Sequence, residues 1–199
     1  FEHDTMTTLA ANATVPVINA LTNRSHPCQL MADLLTMIEY HGPLTGQTVA
    51  WLGDGNNVAA SWVEAAALFG FQLRMACPHN YAPPVELLAW ARANGGDIIL
   101  TEDVAEAVDQ VQSVVTDVWV SMGQEGGSQQ LDLAAYQVNE QVMKRAAGDA
   151  IFMHCLPAKR GLEVSAAVID GPQSVVFDEA ENRLHAQKAI LAWCVAGDE

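Results

Sequence analysis

Apolar residues fall in short runs separated by polar or glycine-rich breaks. Residues 48–53, Thr-Val-Ala-Trp-Leu-Gly, form one such run, and Asp54-Gly55-Asn56-Asn57 interrupts it, which predicts a strand and then a loop. The alanine-rich stretch from Ser61 through Phe69 closes on Gly70 and predicts a helix ending at a glycine C-cap. Further strands are predicted at 71–76, stopped by Pro78, at 97–100, at 113–120 and at 150–155, the last ended by Leu156-Pro157. Helical spacing covers 84–94, 102–109 and 131–147, and a long final helix runs from about Glu179 to Val195. A further helix starts at His26-Pro27 and runs to about Tyr40, with proline in the first turn, where its missing N–H costs nothing. Val175 to Phe177 is read as one more short strand, and the polar, glycine-containing 121–130 as a mobile loop. Strands alternating with helices predict an α/β fold: an open, mainly parallel, Rossmann-like sheet with helices on both faces.

Composition narrows the function. The 199 residues are half hydrophobic and 17% charged, enough apolar material for a sizeable core. Nine Lys and Arg against 24 Asp and Glu give a net charge of −15, the wrong sign for gripping a phosphate backbone, so nucleic acid is not an expected partner. No apolar run approaches the ~20 residues of a membrane-spanning helix, so no membrane partner is expected. Cys28, Cys77, Cys155 and Cys194 are widely spaced without a C-x-x-C pair, which argues against a disulfide framework and fits a reducing cytoplasm.

In an open parallel sheet, ligands bind outside the carboxyl ends of the strands. Those ends carry Asn56 and Asn57 after the first strand, Asp117 with Ser121 and Met122 in and after the fourth, and His154 and Cys155 closing the fifth. Such a set suits a small zwitterion, with Asp117 and the Ser121 hydroxyl for an ammonium and Asn57 with a loop N–H for a carboxylate. Each residue also has a structural reading: asparagine in Gly-Asn-Asn as a turn or cap, and cysteine as packing. Asp117 is the hardest to read as structural, because an unpaired carboxylate inside an apolar strand is costly. A His154–Cys155 dyad is disfavoured because neighbours along a strand point to opposite faces. Gly53-Asp54-Gly55 opens like a dinucleotide fingerprint, but Val58 stands at its third glycine position and no acidic residue ends the second strand. His79 with His185 or His26 offers no metal-ligand spacing, so neither metal nor cofactor is expected.

Five motifs in order resemble the ornithine carbamoyltransferase family: His26-Pro27-Cys28-Gln29, Gly53-Asp54-Gly55-Asn56-Asn57, Asp117-Val118-Trp119-Val120-Ser121-Met122-Gly123, His154-Cys155-Leu156-Pro157 and Glu181-Asn182-Arg183-Leu184-His185. The resemblance implies transfer of a carbamoyl group from carbamoyl phosphate to the δ-amine of ornithine, giving citrulline and phosphate. It implies ornithine contacts at Asn57, Asp117, Ser121 and the Met122 backbone. It places Cys155 beside the reacting amine, the Leu156 carbonyl on the carbamoyl nitrogen, His26 and Gln29 on the carbamoyl group, and Arg183 near its oxygen and the phosphate. The 121–130 segment corresponds to the family's closing loop, and the family forms homotrimers. By this resemblance, 1–29 is a remnant of the carbamoyl-phosphate domain with the start of an interdomain helix, 30–178 is the ornithine-binding domain, and 179–199 is a helix returning to the absent domain.

The family's Ser-Thr-Arg-Thr phosphate cradle does not occur in the chain. The expectation is therefore a carboxy-terminal fragment, lacking a domain of about 100 to 150 residues, that is inactive alone and leaves Leu191 and Trp193 of the last helix exposed. The competing readings are a carbamoyltransferase for putrescine, N-acetylornithine or aspartate, a non-catalytic ornithine-binding domain, and a nucleotide-dependent oxidoreductase.

Overall fold

The computed structural model describes residues 2–119 and 129–196. Its centre is a five-stranded, all-parallel sheet built from β1 (Thr48–Leu52), β2 (Gln72–Ala76), β3 (Asp97–Thr101), β4 (Ser113–Thr116) and β5 (Ile151–His154), in the order β3-β2-β1-β4-β5. The α/β expectation holds. Strand order reverses direction between β1 and β4, so the loops after these two strands flank the crevice of a topological switch point.

Alternation along each strand sends side chains to two cores. Val49, Trp51, Leu73, Met75, Val115 and Met153 pack against α2 (Pro27–His41), α3 (Asn57–Phe69) and α4 (Val85–Ala93). Ala50, Leu52, Ala76, Val114 and Phe152 face the opposite layer, which is built largely from α5 (Val104–Ala107), α7 (Glu140–Arg145) and α8 (Ala166–Ile169). Trp62 and Phe71 meet edge to face, with ring centroids 5.9 Å apart. The 21-residue α9 (Val176–Ala196) lies along α2.

Several expectations need correction. The fourth strand ends at Thr116, so Asp117 sits in the connection beyond it rather than within an apolar strand. The 131–147 stretch is not one helix: α6 (Gln129–Leu133) runs into a tight turn at Ala134–Tyr136, and α7 starts after Asn139. The break has a cause, because Val138 forms a bridge with Val164 and the Asn139 carboxamide accepts from the Gln141 and Val142 N–H groups as an N-cap. The short strand expected at Val175–Phe177 is an isolated bridge between Phe152 and Ser174, and helical hydrogen bonding takes over from Val176. The amphipathic α1 (His3–Asn12) and the short α8 were not evident in the pattern.

Candidate functional site

The loop after β1 is shaped by glycine. Gly53 has φ +120°, and a Cβ at Gly55 would lie 2.5 Å from the Pro83 nitrogen and 2.6 Å from the Tyr81 carbonyl oxygen. This turn delivers Asn56 as the N-cap of α3, its Oδ1 accepting from the Val58 and Ala59 N–H groups. The remaining face of the Asn56 carboxamide donates to Asp117 Oδ2 at 2.8 Å. Asn56 is thus both cap and link, while Asn57 Nδ2 donates to the Thr22 carbonyl at 2.8 Å. An open cleft of about 710 Å³ flanks the start of α3, with Arg24, Asn56, Asn57, Glu64 and Trp90 in its wall. Asp117 and Cys155 do not line that cleft.

Asp117 also accepts from the Val118 N–H at 2.7 Å and from the Cys155 thiol at 3.1 Å, both on Oδ1. Burial, followed by the negative charge of Asp117, pushes the Cys155 thiol well above its ordinary range. Cys155 is therefore a protonated donor at neutral pH, not a thiolate nucleophile. Burial and the charge of Asp117 likewise raise Asp54 to about 6, against an opposing hydrogen bond from Gln129.

The loop after β5 is held by buried acids. Leu156 has φ +52° and is followed by a cis peptide bond to Pro157. Its N–H donates to His154 Nδ1 at 2.9 Å, which makes Nδ1 an acceptor. In a neutral ring the proton then sits on Nε2, 3.4 Å from the Glu163 carboxylate, and both side chains are fully buried. Glu163 also accepts from the Lys159 N–H. The His154 N–H donates to Glu179 at 2.8 Å.

His26 and Gln29 occupy the start of α2, three positions apart and so on one face. The His26 N–H donates to Ser61 Oγ at 2.7 Å, and burial, reinforced by the charge of Arg183, holds the ring below its ordinary pKa despite the Ala20 carbonyl. Among the described residues, His26 Nδ1 and Gln29 Oε1 are buried without a hydrogen-bond partner. Gln29 Nε2 donates to Asp33 at 2.8 Å and to Glu179 at 3.1 Å. Arg183 is half-buried and, among the described residues, makes no ion pair, yet its charge acts on His26, Cys28 and Asp33.

The structure therefore brings Asp117 and Cys155 into direct contact; His26 feels the charges of Asp117 and Arg183, and Gln29 is joined to the end of β5 through Glu179. Ser121 and Met122, and most of the expected mobile loop, lie outside the described residues. Sequence reasoning missed Asn56 as a partner of Asp117, and it missed Asp54, Asp33, Glu163 and Glu179. Gly-Asn-Asn before a helical run was a usable signal for the first, since an asparagine there caps the helix. One oxygen of Asp117, a ring nitrogen of His154 and Cys155 Sγ lie within 4.8 Å of one another, a donor set able to hold a metal ion. His154 Nδ1 already accepts the Leu156 N–H, and the Cys155 thiol donates to Asp117 Oδ1.

The sequence and the fold both have known relatives. Residues 45–194 match the Asp/Orn binding domain of aspartate/ornithine carbamoyltransferases, and residues 1–39 match the carbamoyl-P binding domain of the same proteins. The ornithine carbamoyltransferase of Bradyrhizobium diazoefficiens is 61% identical over 193 residues, covering 96% of this chain and 63% of that protein. That of Nitrobacter winogradskyi is 59% identical, covering 97% and 63%. The structure of ornithine carbamoyltransferase from Pyrococcus furiosus superposes with a TM-score of 0.94 at 45% identity, over 100% of this chain and 66% of that one. The chain thus spans about 63% of the length of these curated relatives. With a family match over most of its length and relatives at this identity, the chain belongs to the aspartate/ornithine carbamoyltransferase family.

Proposed function

We propose that this chain supplies the ornithine-binding half of an ornithine carbamoyltransferase, with residues 1–29 and 179–199 reaching toward a carbamoyl-phosphate domain and 30–178 forming the ornithine domain. The observation that carries the reading is the Asn56–Asp117–Cys155 contact at the switch point, beside two unpartnered buried atoms on α2. Asp117 provides the carboxylate that a cationic acceptor requires, in a half-buried place beside the Cys155 thiol.

In this reading Asn57, Ser121 and the Met122 backbone bind the α-carboxylate and α-amine of ornithine, and Asp117 draws in its ammonium. The δ-amine, with an ordinary pKa close to that of lysine, must lose a proton before it attacks. The first proton passes to solvent, Asp117 and Cys155 orient the neutral amine, its nitrogen bonds to the carbamoyl carbon, the bond from that carbon to the phosphate oxygen breaks, and the nitrogen's surplus proton leaves on the phosphate. The Leu156 carbonyl and Gln29 Oε1 accept from the carbamoyl NH2, His26 lies against the carbamoyl group, and the Arg183 guanidinium stabilises the charge that develops on the carbamoyl oxygen. The product belongs to arginine metabolism, in the cytoplasm, and the working assembly is a homotrimer. Turnover requires a phosphate cradle that these 199 residues lack, so the chain alone is inactive.

The test is product formation from carbamoyl phosphate with ornithine, putrescine, N-acetylornithine or aspartate offered in turn, in a protein carrying this chain joined to a family carbamoyl-phosphate domain. Citrulline as the main product, with Asn57→Ala shifting preference toward putrescine, supports the reading. Equal use of another acceptor, or ornithine affinity unchanged in Asn57→Ala, overturns it.

A further inference from the structure

Beneath the candidate site lies a pair of buried acids for which the reaction just described has no use. Asp33 on α2 is 1% exposed, as is Glu179 on α9, and their carboxyl groups meet at one nitrogen, Gln29 Nε2, close enough to act on each other's ionisation. Two carboxyl groups in such contact need a proton between them. Gln29 sits against both: one nitrogen, Nε2, donates to an oxygen of each, at 2.8 and 3.1 Å. Glu179 uses its other oxygen to accept from the His154 N–H at 2.8 Å.

A carboxamide has one donating end and one accepting end, and turning it over exchanges them. Facing two carboxyl oxygens, Gln29 is stable only with Nε2 toward the pair, which leaves Oε1 on the other side. That oxygen is buried and, among the described residues, without a partner, as is Nδ1 of His26, the N-cap of α2 three residues earlier. An unpaired buried acceptor is costly unless a ligand donates to it.

We propose that Asp33 and Glu179 are positioning residues that fix the Gln29 carboxamide with Oε1 turned toward the ligand, so that the site selects a donor bearing an N–H, a carbamoyl group, over an acetyl group of the same shape. This rests on the reading above in which Gln29 meets the carbamoyl group. It goes further by explaining how a glutamine, able to present either end, presents an acceptor. A methyl group in place of the NH2 would leave Oε1 unpaired, and rejection of an analogue lacking a hydrogen-bonding group is the strongest discrimination a binding site achieves. The charged and titratable groups around the pair are Arg183 on α9, which favours ionised Asp33, Asp117 after β4, which opposes it, and Cys155 after β5, whose thiol both acids push up.

The test uses the protein joined to its carbamoyl-phosphate domain, with carbamoyl phosphate and acetyl phosphate as competing ligands and the ratio of their dissociation constants as the readout. The double substitution Asp33→Asn with Glu179→Gln places N–H donors where acceptors stood, so Gln29 can turn over. The preference for carbamoyl phosphate should fall at least about tenfold. In 15N-glutamine-labelled protein, contacts between the Gln29 amide protons and the Asp33 β-protons should be present in the native chain and lost at the substituted residue 33. Gln29→Ala separates the two claims. If it leaves the ratio unchanged, the assignment of Gln29 to the carbamoyl group fails. If it lowers the ratio while the double variant keeps both the ratio and the Gln29 contacts, the positioning proposal is overturned and the assignment stands. Should the double variant not fold, the native amide contacts decide: Nε2 protons found away from Asp33 overturn the proposal.

Discussion

The buried pair of Asp33 and Glu179 makes a quantitative prediction about stability. Burial, the dominant cause, raises the Asp33 carboxyl from 3.8 to about 7, against the favourable influence of Gln29, Glu179 and Arg183. Glu179 is pushed upward by burial and by the charge of Asp33. A carboxyl whose folded pKa lies above its unfolded value binds its proton more tightly in the native state. The pair therefore costs nothing below the unfolded value and costs progressively more as pH rises toward the folded one. Between pH 5 and 7 the unfolded Asp33 is ionised while the folded one still holds its proton, so stability falls by about 1.4 kcal/mol per pH unit, or about 3 kcal/mol in all. For a chain of this size that is a drop in Tm of about 6 to 12 °C. Other carboxylates add their own pH dependence in so acidic a chain, so the quantity to measure is a difference. Urea unfolding of the native chain and of the Asp33→Asn, Glu179→Gln double variant, each at pH 5, 6, 7 and 8, isolates the pair. The native chain should lose about 3 kcal/mol relative to the variant from pH 5 to 7 through Asp33, and more where Glu179 keeps its own proton as well. Parallel pH profiles for the two proteins would refute the assignment of a tightly held proton to this pair.

Other consequences are simpler to check. Asp117→Asn removes the negative charge that helps hold the Cys155 thiol up, so peptide mapping after alkylation near pH 8 should show faster modification of Cys155 than in the native chain; an unchanged rate would mean burial alone protects it. Gly55→Ala would drive a Cβ to 2.5 Å from the Pro83 nitrogen, and chemical denaturation should show a loss of about 1 to 3 kcal/mol; a neutral result would contradict the close approach of the two loops. Leu191 and Trp193 on α9 are 55% and 70% exposed, so replacing both with glutamate should reduce self-association in sedimentation experiments with little change in Tm; unchanged association would place the sticky surface elsewhere.

The sheet was legible because its five strands are short apolar runs bounded by glycine, proline or asparagine, and such punctuation is local. Asp117 stood out because a carboxylate beside a buried run invites a reason, and Cys155 because it closes a strand. What the sequence did not reveal depends on partners far away in the chain. Asp33 and Glu179 are separated by 146 positions in the numbering, and each reads as an ordinary acid on a helix until α2 and α9 pack together. The division of 131–147 was hidden because its break serves a bridge to Val164, while the residues on either side keep helical spacing. Asn56 reads in the sequence as a turn or cap residue, and its second contact, the hydrogen bond from its carboxamide to Asp117, shows only once β1 and β4 lie side by side. The last helix starts at Val176 because the Phe152–Ser174 bridge needs only one residue before helical hydrogen bonding resumes.

Ornithine binding by the chain itself tests the central claim most directly, because it needs neither turnover nor the phosphate cradle. Calorimetric titration of the 199-residue chain with ornithine, beside the same titration of Asp117→Asn and of the native chain with putrescine, separates specific from charge-driven association. The native chain should show a single ornithine site that Asp117→Asn abolishes and that putrescine fills poorly. Ornithine binding with equal affinity in the Asp117→Asn variant, or no binding by a chain shown to be folded, would contradict it.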